Sequence, residues 1–158
     1  MRPRAVPDPV DPESPYLLLV EDNEDDAFLT QRTLRRQQLA HEVVLVRDGA
    51  EALDFLFARG AYRERDPEDL PQVVLLDINL PKVSGLEVLR TLREHEPTRL
   101  LPVVMLTSSK QESDIVASYS GRANSFVQKP INSEAFAEVV EQLGSYWLLL
   151  NQFPPLAP

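Results

Sequence analysis

The sequence predicts an α/β fold, a doubly wound parallel sheet of (βα)5 form. Five short apolar runs are continuous rather than alternating, the pattern of strands buried on both faces. Helix-like segments stand between them, which calls for parallel strands with helices on both sides of the sheet. A chain of 158 residues, 43% hydrophobic, suits one domain of this kind.

The elements follow in order. YLLLV (Tyr16 to Val20) is the first strand and runs straight into Glu21 and Asp22. DDAFLTQRTLRRQQL follows as a helix whose opening acids suit its positive end, and Glu24, Asp25 and Asp26 are assigned to that start alone. VVLV (43–46) is the second strand. DGAEALDFLFARG is the second helix, with Asp48 and Glu51 at capping-box spacing and Leu53, Leu56 and Phe57 on one face. ARGAYRERDPEDLP is a long charged loop, expected at the surface and facing a partner. VVLL (73–76) is the third strand and ends in Asp77. SGLEVLRTLREHE repeats the capping device with Ser84 and Glu87, then sets Leu86, Leu89 and Leu92 on one face. VVML (103–106) leads into Thr107, and SKQESDIVASY begins with Ser109 and Glu112 at the same spacing. SFV (125–127) is followed by Lys129 and Pro130. The last helix, in NSEAFAEVVEQLGSYWLLLNQ, carries Phe136, Val139, Val140, Leu143 and Trp147 in helical register.

Composition narrows the function classes. A formal net charge of −9 without a Lys/Arg cluster argues against nucleic acid and anionic membrane as partners. The absence of Cys excludes disulfides, thiol chemistry and thiolate metal sites. No apolar run reaches membrane-span length and the N-terminus lacks a signal-peptide core, so a cytoplasmic protein is expected. Residues 1–15 hold five prolines and are expected to form a disordered arm; 152–158 form a tail. His41 and His95 are expected to be inert.

The polar residues at the strand ends point to a site. Ligands of open α/β sheets bind beyond the carboxyl ends of the strands. The commoner strand order for five strands, 2-1-3-4-5, sets strands one and three side by side and so brings Glu21 and Asp22 beside Asp77. Three such carboxylates repel one another unless a cation joins them, and oxygen-only donors suit Mg²⁺. Asp77 alone reads more readily as a helix cap or loop acid, and Phe126 alone as plain core. The company of Glu21, Asp22, Thr107 and Lys129 reverses the reading for Asp77. With Ser109 and Glu112 accounting for the cap of the fourth helix, Thr107 is left free for chemistry.

LLLVEDNEDD, VVLLDINLP, VVMLTSS and FVQKP, in this order and spacing, resemble the receiver domain of two-component response regulators, over residues 16–151. VRDGAEALDFLFARGAY and SYWLLLNQFPP resemble more narrowly the single-domain regulators that partner phytochrome-type histidine kinases. The resemblance implies a flavodoxin-like fold with an extended C-terminal helix. It implies that Asp77 accepts a phosphoryl group from a sensor kinase phosphohistidine, and that the protein catalyses only its own phosphorylation and dephosphorylation. Glu21, Asp22, Asp77 and the backbone carbonyl of Asn79 would hold Mg²⁺. Lys129 would neutralise phosphoryl charge, and Thr107 would donate its hydroxyl to the phosphoryl group. Phe126 would act as an aromatic switch, coupling Asp77 to the face of the fourth helix, fifth strand and fifth helix. A cis Lys129–Pro130 bond would aim the lysine inward. One departure is Arg122, which stands where receivers usually place Gly; either Gly121 takes the left-handed role or the turn is remodelled.

Rival readings remain. A haloacid-dehalogenase-type phosphatase needs a second acid two residues after its nucleophile, where this chain has Asn79. An unphosphorylated scaffold would lack part of the site, and no member is missing. No DNA-binding or enzymatic output domain fits the remaining length, so the expected output is binding, sequestration or a phosphate sink. Beyond Gly144 the residues Tyr146, Trp147, Leu148, Leu149, Leu150 and Phe153 are apolar nearly all round a helix, which predicts a homodimer through this segment.

Overall fold

The computed structural model describes residues 16–37 and 42–155. The arm expected over 1–15, His41 and the end of the C-terminal tail lie outside the described residues. Five parallel strands, β1 (Tyr16–Val20), β2 (Glu42–Val46), β3 (Val73–Leu76), β4 (Val103–Thr107) and β5 (Ser125–Gln128), form a single sheet in the order β2-β1-β3-β4-β5, as expected. Five helices connect and follow them: α1 (Glu24–Gln37), α2 (Gly49–Leu56), α3 (Gly85–Glu94), α4 (Glu112–Ser120) and α5 (Ser133–Ser145).

The continuous apolar strands divide by alternation between two cores. Leu18, Val20, Val74, Leu76, Val103 and Met105 face α2 and α3, where Phe55, Leu56, Val88, Leu89 and Leu92 cover them. Leu17, Leu19, Val73, Leu75, Val104 and Leu106 face the other way, against Ala27 and Leu34 of α1, Phe136 and Val140 of α5, and Trp147 just beyond α5. Each such side chain, fully buried, contributes roughly 1.5–3 kcal/mol.

Two of the predicted caps form. Asp48 accepts from the Glu51 N–H at 2.7 Å, while the Glu51 carboxylate reaches back to the Arg47 N–H at 2.8 Å. Ser84 accepts from the Glu87 N–H at 3.3 Å. The third does not form: α4 starts at Glu112 behind Gln111, and Ser109 instead donates to the Asp114 carboxylate at 2.5 Å. The Ser109 oxygen accepts from the Gln111 N–H at 3.3 Å, ahead of the helix, while its hydroxyl proton goes to the charged acceptor.

The charged loop before β3 lies mostly at the surface, as expected, but not throughout. Gly60–Tyr62 make a 3-10 turn that buries Tyr62 against Phe55, ring centroids 5.2 Å apart. The Arg65 guanidinium lies 3.8 Å over the Phe55 ring and donates to the carbonyls of Phe55 and Asp69, stitching the loop to the domain. At the end of α4 it is Arg122, not Gly121, that takes the left-handed conformation, with φ of 65°. Arg93 compensates. Its buried guanidinium donates to the Arg122 carbonyl at 2.9 and 3.1 Å, and to the Leu101 carbonyl and the Asn124 side chain.

At the C-terminus α5 passes into a wider turn over Tyr146–Leu150, closed by the Asn151 N–H on the Tyr146 carbonyl at 2.7 Å. The expectation of an outward apolar segment is corrected for Trp147, which is 8% exposed and belongs to the α1–α5 core, with Leu148 half-buried against it. Leu149 and Leu150, 62% and 70% exposed, do face outward, as does half-exposed Tyr146; Phe153 is half-buried.

Candidate phosphoryl and metal site

Three site residues each stand one position past a strand, and the strand ladder places them. The Glu21 N–H donates to the Val46 carbonyl at 3.0 Å, the Asp77 N–H to Val20 at 3.2 Å, and the Lys129 N–H to Thr107 at 2.8 Å. Continuation of the ladder thus fixes the backbone of two acids after neighbouring β1 and β3 and of one lysine after β5, two strands from β3, with their side chains free to converge beyond the sheet edge. Gly85 permits the neighbouring approach of α3: a Cβ there would lie 1.9 Å from the Asp77 carbonyl oxygen.

The side chains do converge. Lys129 Nζ donates to Glu21 Oε2 at 2.6 Å and to Asp77 Oδ2 at 2.9 Å, and all three residues are buried. Lys129 reaches this position although the structure contains no cis bond among the described residues, so the expected cis Lys129–Pro130 bond is corrected. The trans chain suffices because the flexible four-carbon stem spans the gap. Glu21 Oε1 also accepts from the Asn23 N–H at 3.1 Å, and Asp77 Oδ1 from the Asn79 N–H at 3.3 Å.

Glu21, Asp22 and Asp77 each offer a carboxylate oxygen within 4.8 Å of the others. Asp22 is exposed on the solvent side of this trio. An all-oxygen donor set with one open side fits a hard divalent cation. Burial pushes the Glu21 carboxyl up to about 7, against the pull of the Lys129 ammonium, and the Asp77 carboxylate adds to the rise. Burial alone would lower Lys129, but Asp77 and Glu21 override it and hold the ammonium above the ordinary lysine range. A cation pinned between two buried acids stays charged.

Thr107 is fully buried, and its hydroxyl oxygen accepts from the Ser109 N–H at 3.3 Å. The β4–β5 register sets Met105 opposite Phe126 and Thr107 opposite Gln128, so Thr107 and Phe126 share one face of the sheet. Phe126 is half-buried on the α2–α3 core. His95 stacks on Phe57 at 4.9 Å, far in sequence from the site. One residue was assigned too little. Asp26, read only as a helix-start acid, places Oδ2 3.1 Å from Lys129 Nζ. No periodicity in the sequence singles it out, since α1 begins at Glu24 and Asp26 is one of three acids in its first turn.

A five-stranded 2-1-3-4-5 sheet carrying this acid trio, lysine and threonine at one edge defines a receiver domain. The chain belongs to the response regulator receiver domain family, whose model matches residues 17–141. It is 39% identical over 148 residues to the probable methanogenesis regulatory protein FilR2 of Methanothrix harundinacea, covering 93% of each chain. It is 39% identical over 132 residues to the response regulator Rcp1 of Synechocystis sp., covering 84% of this chain and 88% of Rcp1. The Mn²⁺-bound crystal structure of Rcp1 superposes with a TM-score of 0.83 at 35% identity, over 89% of this chain and 99% of that one. The bacteriophytochrome response regulator AtBRR is 50% identical, with a TM-score of 0.67, over 89% of this chain and all (100%) of the AtBRR chain.

Proposed function

We propose that the protein accepts a phosphoryl group on Asp77 from the phosphohistidine of a sensor histidine kinase in a phytochrome light-signalling pathway in the cytoplasm. One observation carries the reading: a charged, buried lysine holds the Asp77 carboxylate at 2.9 Å where the sheet edge opens to solvent. The 50% identity to a bacteriophytochrome regulator supports the pathway.

A carboxylate oxygen of Asp77 attacks phosphorus; the new O–P bond forms as the P–N bond to the kinase imidazole breaks, and the imidazole nitrogen keeps the electron pair. Such transfers depend on positioning and charge stabilisation, which these residues supply. Lys129 donates to a phosphoryl oxygen, and the Thr107 hydroxyl turns from its contact with Ser109 to donate to another. Glu21, Asp22, Asp77 and the Asn79 carbonyl would hold Mg²⁺, which would supply neutralisation of phosphoryl charge. The same residues serve hydrolysis, in which a water oxygen attacks phosphorus as the Asp77 O–P bond breaks and the carboxylate keeps the electron pair, so the protein acts on its own phosphoryl group alone.

The test is phosphotransfer from a panel of phosphorylated kinases, a phytochrome kinase among them, with and without Mg²⁺. Rapid labelling by the phytochrome kinase that disappears in Asp77→Asn and in EDTA is expected. Label retained in Asp77→Asn refutes the acceptor, and preference for another kinase refutes the pathway.

A further inference from the structure

We propose that Asp26 is a positioning residue that competes with the phosphoryl group for the Lys129 ammonium and thereby lowers the affinity of the site for that group. The inference rests on the reading of Asp77 as acceptor.

An ammonium has three N–H donors. Here three carboxylates take them: Glu21 at 2.6 Å, Asp77 at 2.9 Å and Asp26 at 3.1 Å. The first two come from strand ends and belong to the acid trio. Asp26 comes from the first turn of α1 and stands outside that trio. Its backbone N–H is held by Asn23 Oδ1 at 2.9 Å, which fixes the turn that delivers the carboxylate. Glu24 and Asp25 on the same turn are exposed, while Asp26 is half-buried against the lysine.

A phosphoryl oxygen on Asp77 needs a donor from a lysine that has none spare, so one bond must be exchanged. The Glu21 bond is the shortest, and Asp77 carries the phosphoryl group itself. The Asp26 bond is the longest, and its side chain is 34% exposed against 4% and 8% for the other two acids. Asp26 is therefore the partner released. Its negative charge stays beside the arriving phosphoryl oxygens and repels them. Loss of the donor and repulsion act in the same direction.

The test compares the full chain with Asp26→Asn and Asp26→Glu, titrating beryllofluoride at saturating Mg²⁺ and, separately, Mg²⁺ alone. Asn keeps an acceptor without charge; Glu keeps the charge. Asp26→Asn is expected to tighten beryllofluoride by roughly two- to fivefold, the range of a partly exposed ion pair. Its Mg²⁺ affinity should stay equal or weaken, and Asp26→Glu should stay near wild type. A structural role alone would weaken both ligands together. Unchanged or weaker beryllofluoride binding in Asp26→Asn overturns the proposal, as does equal tightening in Asp26→Glu. A wild type that binds no beryllofluoride removes the phosphoryl reading and the inference with it; a binding wild type whose Asn variant does not tighten removes the inference alone.

Discussion

Glu21 and Lys129 form a buried ion pair across 108 positions of sequence, Nζ to Oε2 at 2.6 Å, at the edge of the sheet. The pair ties the end of β1 to the end of β5 and leaves Glu21 with two duties, since its carboxylate also belongs to the acid trio.

The first prediction follows from that double duty. Burial raises the Glu21 carboxyl to about 7, so near neutrality a proton competes with a divalent cation for the same oxygens. The sign is fixed: a carboxyl raised by folding binds its proton more tightly in the folded protein, and cation binding must expel it. Mg²⁺ affinity should therefore rise between about pH 6 and about pH 8, then level off. Calorimetric titration across that range measures it. Glu21→Gln should bind more weakly with a flat profile, and a flat profile in the wild type would contradict the assignment.

A second prediction concerns propagation. Thr107 and Phe126 share a sheet face, and α4 buries only Ser118 among its residues, so little packing holds that helix in one place. Beryllofluoride with Mg²⁺ should shift amide signals through residues 107–131. Shifts confined to 21–25 and 77–84 would show that no such coupling exists. Lys129→Ala should retain Mg²⁺ binding yet lose most of the response at 107–131, because the cation that senses the phosphoryl group is gone.

The third prediction tests Arg93. Its guanidinium holds the carbonyls of Leu101 and Arg122 and the Asn124 amide oxygen, with no carboxylate partner in these contacts. Arg93→Ala would strand several buried acceptors and release the left-handed Arg122, at a cost of about 2–4 kcal/mol. Arg93→Lys should recover only part of this, since one ammonium cannot span the fork. Urea unfolding measures both; an Ala variant within about 0.5 kcal/mol of wild type would show the network to be incidental.

The five strands were legible because parallel strands buried on both faces leave uninterrupted apolar runs, and Glu21, Asp77, Thr107 and Lys129 because they end or follow such runs. What escaped depends on side chains meeting across elements. Asp26 resembled its acidic neighbours until Lys129 was seen beside it. Ser109 had the spacing of a cap but found a carboxylate five residues on. Arg93 gave no sign in a helix full of arginines and leucines, since its partners are carbonyls, which every residue has. Trp147 fitted both the inward stripe and the outward patch by register, and only packing against α1 and the sheet decides for the core.

The last prediction is a homodimer through the C-terminal turn. Tyr146, Leu149 and Leu150 are exposed on one wide turn, at 50%, 62% and 70%. Beside them a groove of about 430 Å³ runs between β5 and α5, with Val127, Val139, Leu143 and Tyr146 in its walls. Among the described residues β5 is an edge strand, with no strand paired to its outer side. Apolar side chains next to an open groove favour burial against another surface, and aromatic residues are enriched in the centres of such contacts. A second copy supplies both parts, since the turn of one chain can enter the groove of the other and the reverse, as a two-fold axis requires. Removing the whole segment would be a poor test, because Trp147 belongs to the core and its loss would damage the fold. Leu149→Ser with Leu150→Ser changes only exposed positions and should leave thermal stability within about 0.5 kcal/mol. Light scattering at roughly 50 μM, in the affinity range of modest interfaces, should give a dimer for the full chain and a monomer for the double variant. A monomeric wild type, or a variant that stays dimeric, would exclude this surface. Val127 adjoins Phe126 on β5, so beryllofluoride should change the dimer fraction of the wild type and leave that of the double variant unmoved.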